Sequence, residues 1–168
     1  MSLTKKLILG TANLASSYGL NNSNITKNSS LKKIFLILKK QKIFFIDTAY
    51  SYKNAQKYLS KFDLKKFKII SKLPFIPKKI DIDKIESHIV NFVHKTLKQL
   101  KINYFYALLV HNTEELEGEK GKKIFATLNF LKKQGLVKKI GYSIYSPKEL
   151  DIYIKRFKPD LIQGPLNL

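Results

Sequence analysis

A chain of 168 residues suffices for one domain with a sizeable core, and a hydrophobic fraction of 44% fits a globular class. The absence of cysteine excludes disulfides and thiolate metal sites, and is compatible with a reducing cytoplasm. The net charge of +20 invites a nucleic-acid reading, yet the 32 basic residues include a single arginine, Arg156, and the lysines are spread along the whole chain.

Base readout and bidentate phosphate clamping favour arginine, whereas lysine acts as a point charge. The lysines also track predicted helix surfaces, as solvated faces do. No specific nucleic-acid partner is therefore expected, only non-specific attraction to polyanions at low salt. Lys5 and Lys6 precede Leu7-Ile8-Leu9, a run too short for the ~7–15-residue apolar core of a signal peptide. No stretch reaches the ~18 apolar residues of a membrane span. A cytoplasmic protein without a membrane partner is the expectation.

The first predicted strand is Leu7–Thr11. A polar loop, Asn21–Ser30, leads to a helix over Leu31–Lys40, with Ser29 or Ser30 as its cap. A strand over Ile43–Asp47 and a helix from about Lys53 to Lys61 follow, then a strand over Lys68–Lys72. The longest helix is predicted from Asp83 to Leu100, with Ile85, Ile89, Phe92, Val93, Thr96, Leu97 and Leu100 on one stripe. Next come a strand over Tyr104–His111, a short acidic loop over Glu114–Gly121, and a helix over Lys120–Gln134 ended by Gly135. A strand over Lys139–Ser143 precedes Ser146-Pro147-Lys148-Glu149, which reads as cap, first-turn proline and capping-box glutamate of another helix. Asp160–Gln163 is the sixth strand.

Most of these strands are apolar on both faces, as in a parallel sheet covered on both sides. Strict β-α alternation implies right-handed crossovers. A barrel and a doubly wound sheet share this pattern. No linker or low-complexity tract divides the chain, so residues 1–168 read as a single domain.

Polar residues collect at the strand ends. Asp47 ends the second strand and Tyr52 follows in the loop; Lys72 ends the third and His111 the fourth. Parallel barrels carry their chemistry at that rim. Singly, Asp47 could be a helix cap, Tyr52 a packing aromatic, Lys72 an edge residue with its head in water, and His111 a loop histidine. At successive rim positions they point instead to carbonyl chemistry. Lys72 could pair with Asp47 and favour the phenolate of Tyr52. A phenol so tuned is a good general acid for a carbonyl oxygen that takes a hydride. His111 could hydrogen-bond the same oxygen.

With these residues in view, the chain resembles the aldo/keto reductase family. Leu9-Gly10-Thr11-Ala12 looks like its first strand, and Asp47-Thr48-Ala49-Tyr50-Ser51-Tyr52 matches its D-T-A-x-x-Y signature. Ile70-Ser71-Lys72 matches the strand bearing its lysine. Leu97 to Leu100, followed by Tyr104 to His111, looks like its S-L-x-x-L … D-x-x-L-L-H block. Gly135 to Tyr145 is similar to its G-K-V-R-x-I-G-V-S-x-Y segment, and Gln163-Gly164-Pro165-Leu166-Asn167 to its Q-x-P-x-N strand end.

The resemblance implies an α/β fold of the parallel (β/α)8 TIM-barrel type and NADPH or NADH as cofactor. It also implies a small-molecule aldehyde or ketone as substrate. It casts Tyr52 as general acid, Lys72 as the cation that lowers its pKa, Asp47 as the residue holding Lys72, and His111 as the group orienting the carbonyl. It places Thr11, Asp47, Ser143 and Gln163 beside the cofactor, the last two at the nicotinamide carboxamide. Ile144 stands where many members have asparagine, so one carboxamide contact is expected to be missing. The loop Gly10–Asn22, with Tyr18-Gly19, resembles a branch found beside sugar-modification enzymes.

Such a barrel takes about 250 residues, and this chain stops after about six βα units. The barrel is thus expected to be incomplete, with the seventh and eighth strands and much of the nucleotide grip missing. The first and sixth strands would be open edges, through which self-association is expected. A truncated, non-catalytic remnant or interaction module of the same fold is the alternative.

Overall fold

The computed structural model describes residues 7–14, 28–52 and 54–165. Most of the expected loop over Asn21–Ser30, Tyr18-Gly19, Lys53, and the end of the last motif at Leu166 and Asn167 lie outside the described residues.

Six parallel strands alternate with helices along the chain. The strands are β1 (Ile8–Gly10), β2 (Phe45–Asp47), β3 (Lys68–Lys72), β4 (Phe105–Val110), β5 (Val137–Ser143) and β6 (Leu161–Gln163). The helices are α1 (Asn28–Lys40), α2 (Ala55–Leu59), α3 (Ile82–Leu100), α4 (Gly118–Lys133) and α5 (Pro147–Arg156). Strand order in the sheet is the order in sequence, β1 to β6. A doubly wound sheet reverses direction at a switch point and cannot give this order. The choice left open by periodicity is thereby settled for the barrel type. The sheet is also curled, because Ile8 and Gly10 of β1 line one cavity with Leu161 and Gln163 of β6.

Two apolar layers hold the sheet. On the outer side Ile46, Ile69, Leu108 and Ile140 pack with Leu31, Phe35, Ile89, Val93, Ile124 and Leu128 of the helices. On the inner side Ile70, Ala107 and Leu109 meet Phe45 and Leu161. The alternation of β side chains puts Asp47 on the face of Phe45, Lys72 on that of Ile70, and Gln163 on that of Leu161. The concave face is therefore apolar low in the barrel and polar at the C-terminal rim.

Helix ends follow the expected chemistry with two differences. Ser146 accepts the Glu149 N–H at α5 and Pro147 occupies its first turn; Gly135 takes φ 75 after α4. However, α1 begins at Asn28, so Ser29 and Ser30 lie inside the helix rather than capping it. The acidic loop is also more ordered than its composition suggested. Thr113–Leu116 forms a short 3-10 helix, begun by Asn112, whose side chain accepts the Glu114 N–H, and α4 starts at Gly118. Phe92, on the α3 stripe, is only partly buried.

One glycine is fixed by contact. A Cβ on Gly141 would run into the Leu161 carbonyl oxygen of the neighbouring strand. Gly141→Ala is expected to push β5 and β6 apart and lower stability by about 1–3 kcal/mol, the range for overpacking. Urea denaturation measures it, and an unchanged midpoint would contradict the contact.

Candidate active site

The C-terminal ends of all six strands carry the polar residues singled out above. Thr11 follows β1, Asp47 ends β2, Lys72 ends β3, His111 follows β4, Ser143 ends β5 and Gln163 ends β6. Since β2 and β3 are neighbours, Asp47 and Lys72 meet. Lys72 Nζ donates to Asp47 Oδ1 at 2.7 Å and lies 3.4 Å from the Thr48 carbonyl oxygen. Lys72 is 2% exposed and Asp47 9% exposed. Lys72 is thus not an edge residue with its head in water, but half of a buried ion pair.

The loop after β2 brings Tyr52 over this pair, with Lys72 Nζ 5.2 Å from the centre of its ring. His111 approaches the same ring edge-on, at 6.2 Å between centres. Ser51 Oγ lies 3.4 Å from His111 Nδ1. Asp47, Tyr52, Lys72 and His111 therefore form one cluster. Burial holds His111 below its ordinary pKa of 6.5; Lys72 adds to the depression and Asp47 opposes it. A group so shifted is neutral at pH 7.

This shift has a definite sign in stability. The unfolded histidine takes up a proton near its ordinary value of 6.5, whereas folded His111 resists it. Stability is therefore expected to fall as pH drops through 6.5 and to level off once folded His111 is itself protonated. An NMR titration should give a His111 midpoint below 6.5, and Lys72→Met should raise that midpoint by removing a nearby cation. A midpoint that stays put in that variant would contradict the coupling.

A second group of polar atoms lines the rim. Thr11 Oγ1, Ser143 Oγ and Gln163 Oε1 are buried and have no hydrogen-bond partner among the described residues. Ser143 and Gln163 lie side by side in the β5–β6 register. Asp47, Gly10 and Gln163 share a cavity of about 300 Å³ on the concave side. Buried polar groups are normally satisfied, so these atoms leave hydrogen-bonding capacity open at the rim, with Gln163 facing the cavity. A carboxamide has the complementary groups: its NH₂ can donate to Gln163 Oε1, and its oxygen can accept from the Ser143 hydroxyl.

Sequence reasoning missed the Ser51–His111 contact, and it missed Glu115 and Glu149, which line a cavity that opens from His111. The run of glutamates between residues 114 and 119 in so basic a chain was the available signal. Among the described residues no helix is long and apolar enough to cross a membrane.

A family model described as the Aldo/keto reductase family matches residues 6–168. No curated protein matches the chain. Among solved structures, the protein PA4992 of Pseudomonas aeruginosa is 24% identical, with a TM-score of 0.76 over 96% of this chain and 63% of its own. The holo form of the aldo-keto reductase AKR11C1 from Bacillus halodurans is 19% identical, with a TM-score of 0.72 over 95% of this chain and 53% of its own. The glycerol dehydrogenase AKR11B4 of Gluconobacter oxydans is 21% identical, with a TM-score of 0.65 over 95% of this chain and 51% of its own. At such identities the likeness establishes the fold, and the chain spans half to two thirds of the length of these structures.

Proposed function

Because the chain belongs to the aldo/keto reductase family, we propose that the protein reduces an aldehyde or ketone with NADPH or NADH, using residues 1–168 as part of one barrel domain. The observation that carries this reading is the buried Lys72–Asp47 pair beneath Tyr52, with His111 against the same ring.

Tyr52 is the general acid in this reading. A cation close to a phenol favours its ionised form, so Lys72 makes the hydroxyl a readier proton donor. Asp47 holds the Lys72 ammonium in place and compensates its charge, which burial would otherwise make costly. His111 acts as a neutral imidazole in this reading, which burial and the nearby Lys72 favour by holding its pKa below the ordinary value, against Asp47. If Ser51 Oγ donates to Nδ1, the ring proton resides on Nε2, which can then donate to the substrate oxygen. Two donors aimed at one oxygen stabilise the negative charge that develops there.

The cofactor is read onto the rim beside this cluster. The unpartnered Ser143 Oγ and Gln163 Oε1, neighbours in the β5–β6 register, are read as the partners of a nicotinamide carboxamide, and Thr11 and Asp47 are assigned to the same cofactor. When bound, the nicotinamide supplies the hydride, and the protein supplies position and proton. The protein sets the carbonyl carbon beside the ring and keeps the Tyr52 proton within reach of its oxygen.

A spectrophotometric assay of NADPH and NADH oxidation across a panel of aldehydes and ketones tests the reading. Oxidation that depends on the carbonyl compound is expected. Absence of both turnover and cofactor binding would overturn it in favour of a non-catalytic interaction module.

A further inference from the structure

A cavity of about 690 Å³ runs outward from His111, between the turn after β4 and the first turns of α5. It lies within the roughly 300–1,000 Å³ of small-molecule sites. Its charge is opposite to that of the chain. Glu114, Glu115 and Glu149 line it and no described lysine or arginine does, although the chain has 32 basic residues and 12 acidic ones. In a protein so positive, a carboxylate-lined wall attracts what the rest of the surface repels.

Glu115 gives the cavity chemical definition. It is 5% exposed. Its Oε1 accepts the Ile76 N–H at 2.7 Å. Its Oε2 is buried and has no hydrogen-bond partner among the described residues. Burial pushes the carboxyl above its ordinary value, opposed by the Ile76 N–H and by Lys120. Lys120 directs its Nζ to the Ile76 carbonyl at 2.9 Å and does not line the cavity. A buried acceptor of this kind calls for a donor, and a cationic N–H donor offsets the buried charge as well.

Glu149 supplies a negative charge on the facing wall. The Thr113 hydroxyl donates to it at 2.7 Å and the Tyr145 N–H at 3.2 Å, and these bonds, the Thr113 one foremost, hold its carboxyl below the ordinary carboxylate range, opposed by burial. Phe75 and Tyr145, both exposed, add aromatic surface to the lining; Lys120 Nζ lies 5.9 Å from the centre of the Phe75 ring. The carboxylates are spread around the cavity: among the described residues no three acidic or histidine side chains gather as a metal site. The complementary occupant is an organic cation bearing N–H groups.

We propose that this cavity holds the protonated amino or amidinium end of the substrate, with Glu115 Oε2 as the acceptor and Glu149 and Glu114 providing the field, while the carbonyl end lies at His111. The carbonyl half rests on the function proposed above; the cation site rests on the cavity alone.

Benzamidine and benzamide have nearly the same shape and differ in charge. Titration of the protein with each, by calorimetry at physiological salt, should show benzamidinium binding at least about tenfold more tightly. Glu115→Gln keeps an acceptor for Ile76 and should remove most of that preference; Glu114→Gln, at an exposed position, should reduce it about two- to threefold. Among substrates, 4-amidinobenzaldehyde should exceed 4-carbamoylbenzaldehyde in kcat/KM by a similar factor, lost again in Glu115→Gln. Equal affinities in the wild type overturn the proposal, as does a preference unchanged in folded Glu115→Gln. If Glu115→Gln loses its native circular dichroism, Glu114→Gln decides, and an unchanged preference there overturns the proposal. Carbonyl turnover with no amidinium preference sinks the cation site and leaves the reductase reading intact. Selective benzamidinium binding in a protein that turns over no carbonyl does the reverse.

Discussion

Tyr52→Phe is expected to reduce carbonyl turnover by about 10²–10⁴, the usual contribution of a positioned general acid, and to leave cofactor affinity unchanged. The substitution removes one hydroxyl and keeps the ring. Lys72 Nζ over that ring at 5.2 Å and the edge contact with His111 at 6.2 Å depend on the ring alone, so packing at the rim should survive. The nicotinamide is read onto Ser143 and Gln163, which the substitution does not alter. A loss confined to kcat, with the NADPH fluorescence titration unmoved, therefore reports the missing proton. Turnover equal to wild type would remove Tyr52 from the chemistry and shift the proton-donor role to another member of the cluster, His111 first.

Lys72→Met is expected to damage both fold and activity, and the two effects can be separated. It leaves Asp47, 9% exposed, as a buried carboxylate without its ammonium partner at 2.7 Å. Breaking one side of a buried pair costs about 3–5 kcal/mol, whereas replacing both partners by apolar groups of similar volume is often neutral. Stability measured by denaturant should thus fall in Lys72→Met and recover substantially in the double variant Lys72→Met/Asp47→Leu. Activity should not recover, because the cation that favours the phenolate is gone from both. Recovery of turnover along with stability would reduce the pair to a structural role.

The strands were legible because their composition is simple. Apolar runs such as Ile69-Ile70 and Leu108-Leu109-Val110 are buried on both faces, and each ends at a polar residue where the chain meets the rim. Asp47, Lys72, Ser143 and Gln163 are visible in the sequence for that reason. Barrel and doubly wound sheet share the β-α alternation and differ in strand order and in which faces the helices cover, neither of which the periodicity of any one element records. Ser29 and Ser30 are both plausible caps by type, so residue type alone places the start of α1 later than Asn28, where the helix begins.

The cavity beside His111 was hidden for another reason. Glu115 and Glu149 belong to different βα units, and only packing of the Thr113–Leu116 turn against α5 brings them together, through the Thr113–Glu149 hydrogen bond. In sequence Glu149 reads as a capping-box residue. That reading holds, since Ser146 accepts its N–H, but the same carboxylate also faces the cavity. The run of glutamates between residues 114 and 119 is the feature of this lysine-rich sequence that points to the cavity.

The proposed reduction turns on where a hydride goes. NADPH carrying deuterium at the transferable position of the nicotinamide, incubated with the protein and an aldehyde it turns over, should yield an alcohol with deuterium on the former carbonyl carbon, and the yield should collapse in Tyr52→Phe. Cofactor that binds without any deuterated product from the panel of carbonyl compounds would contradict the reading of Asp47, Tyr52, Lys72 and His111 as a carbonyl-reducing site.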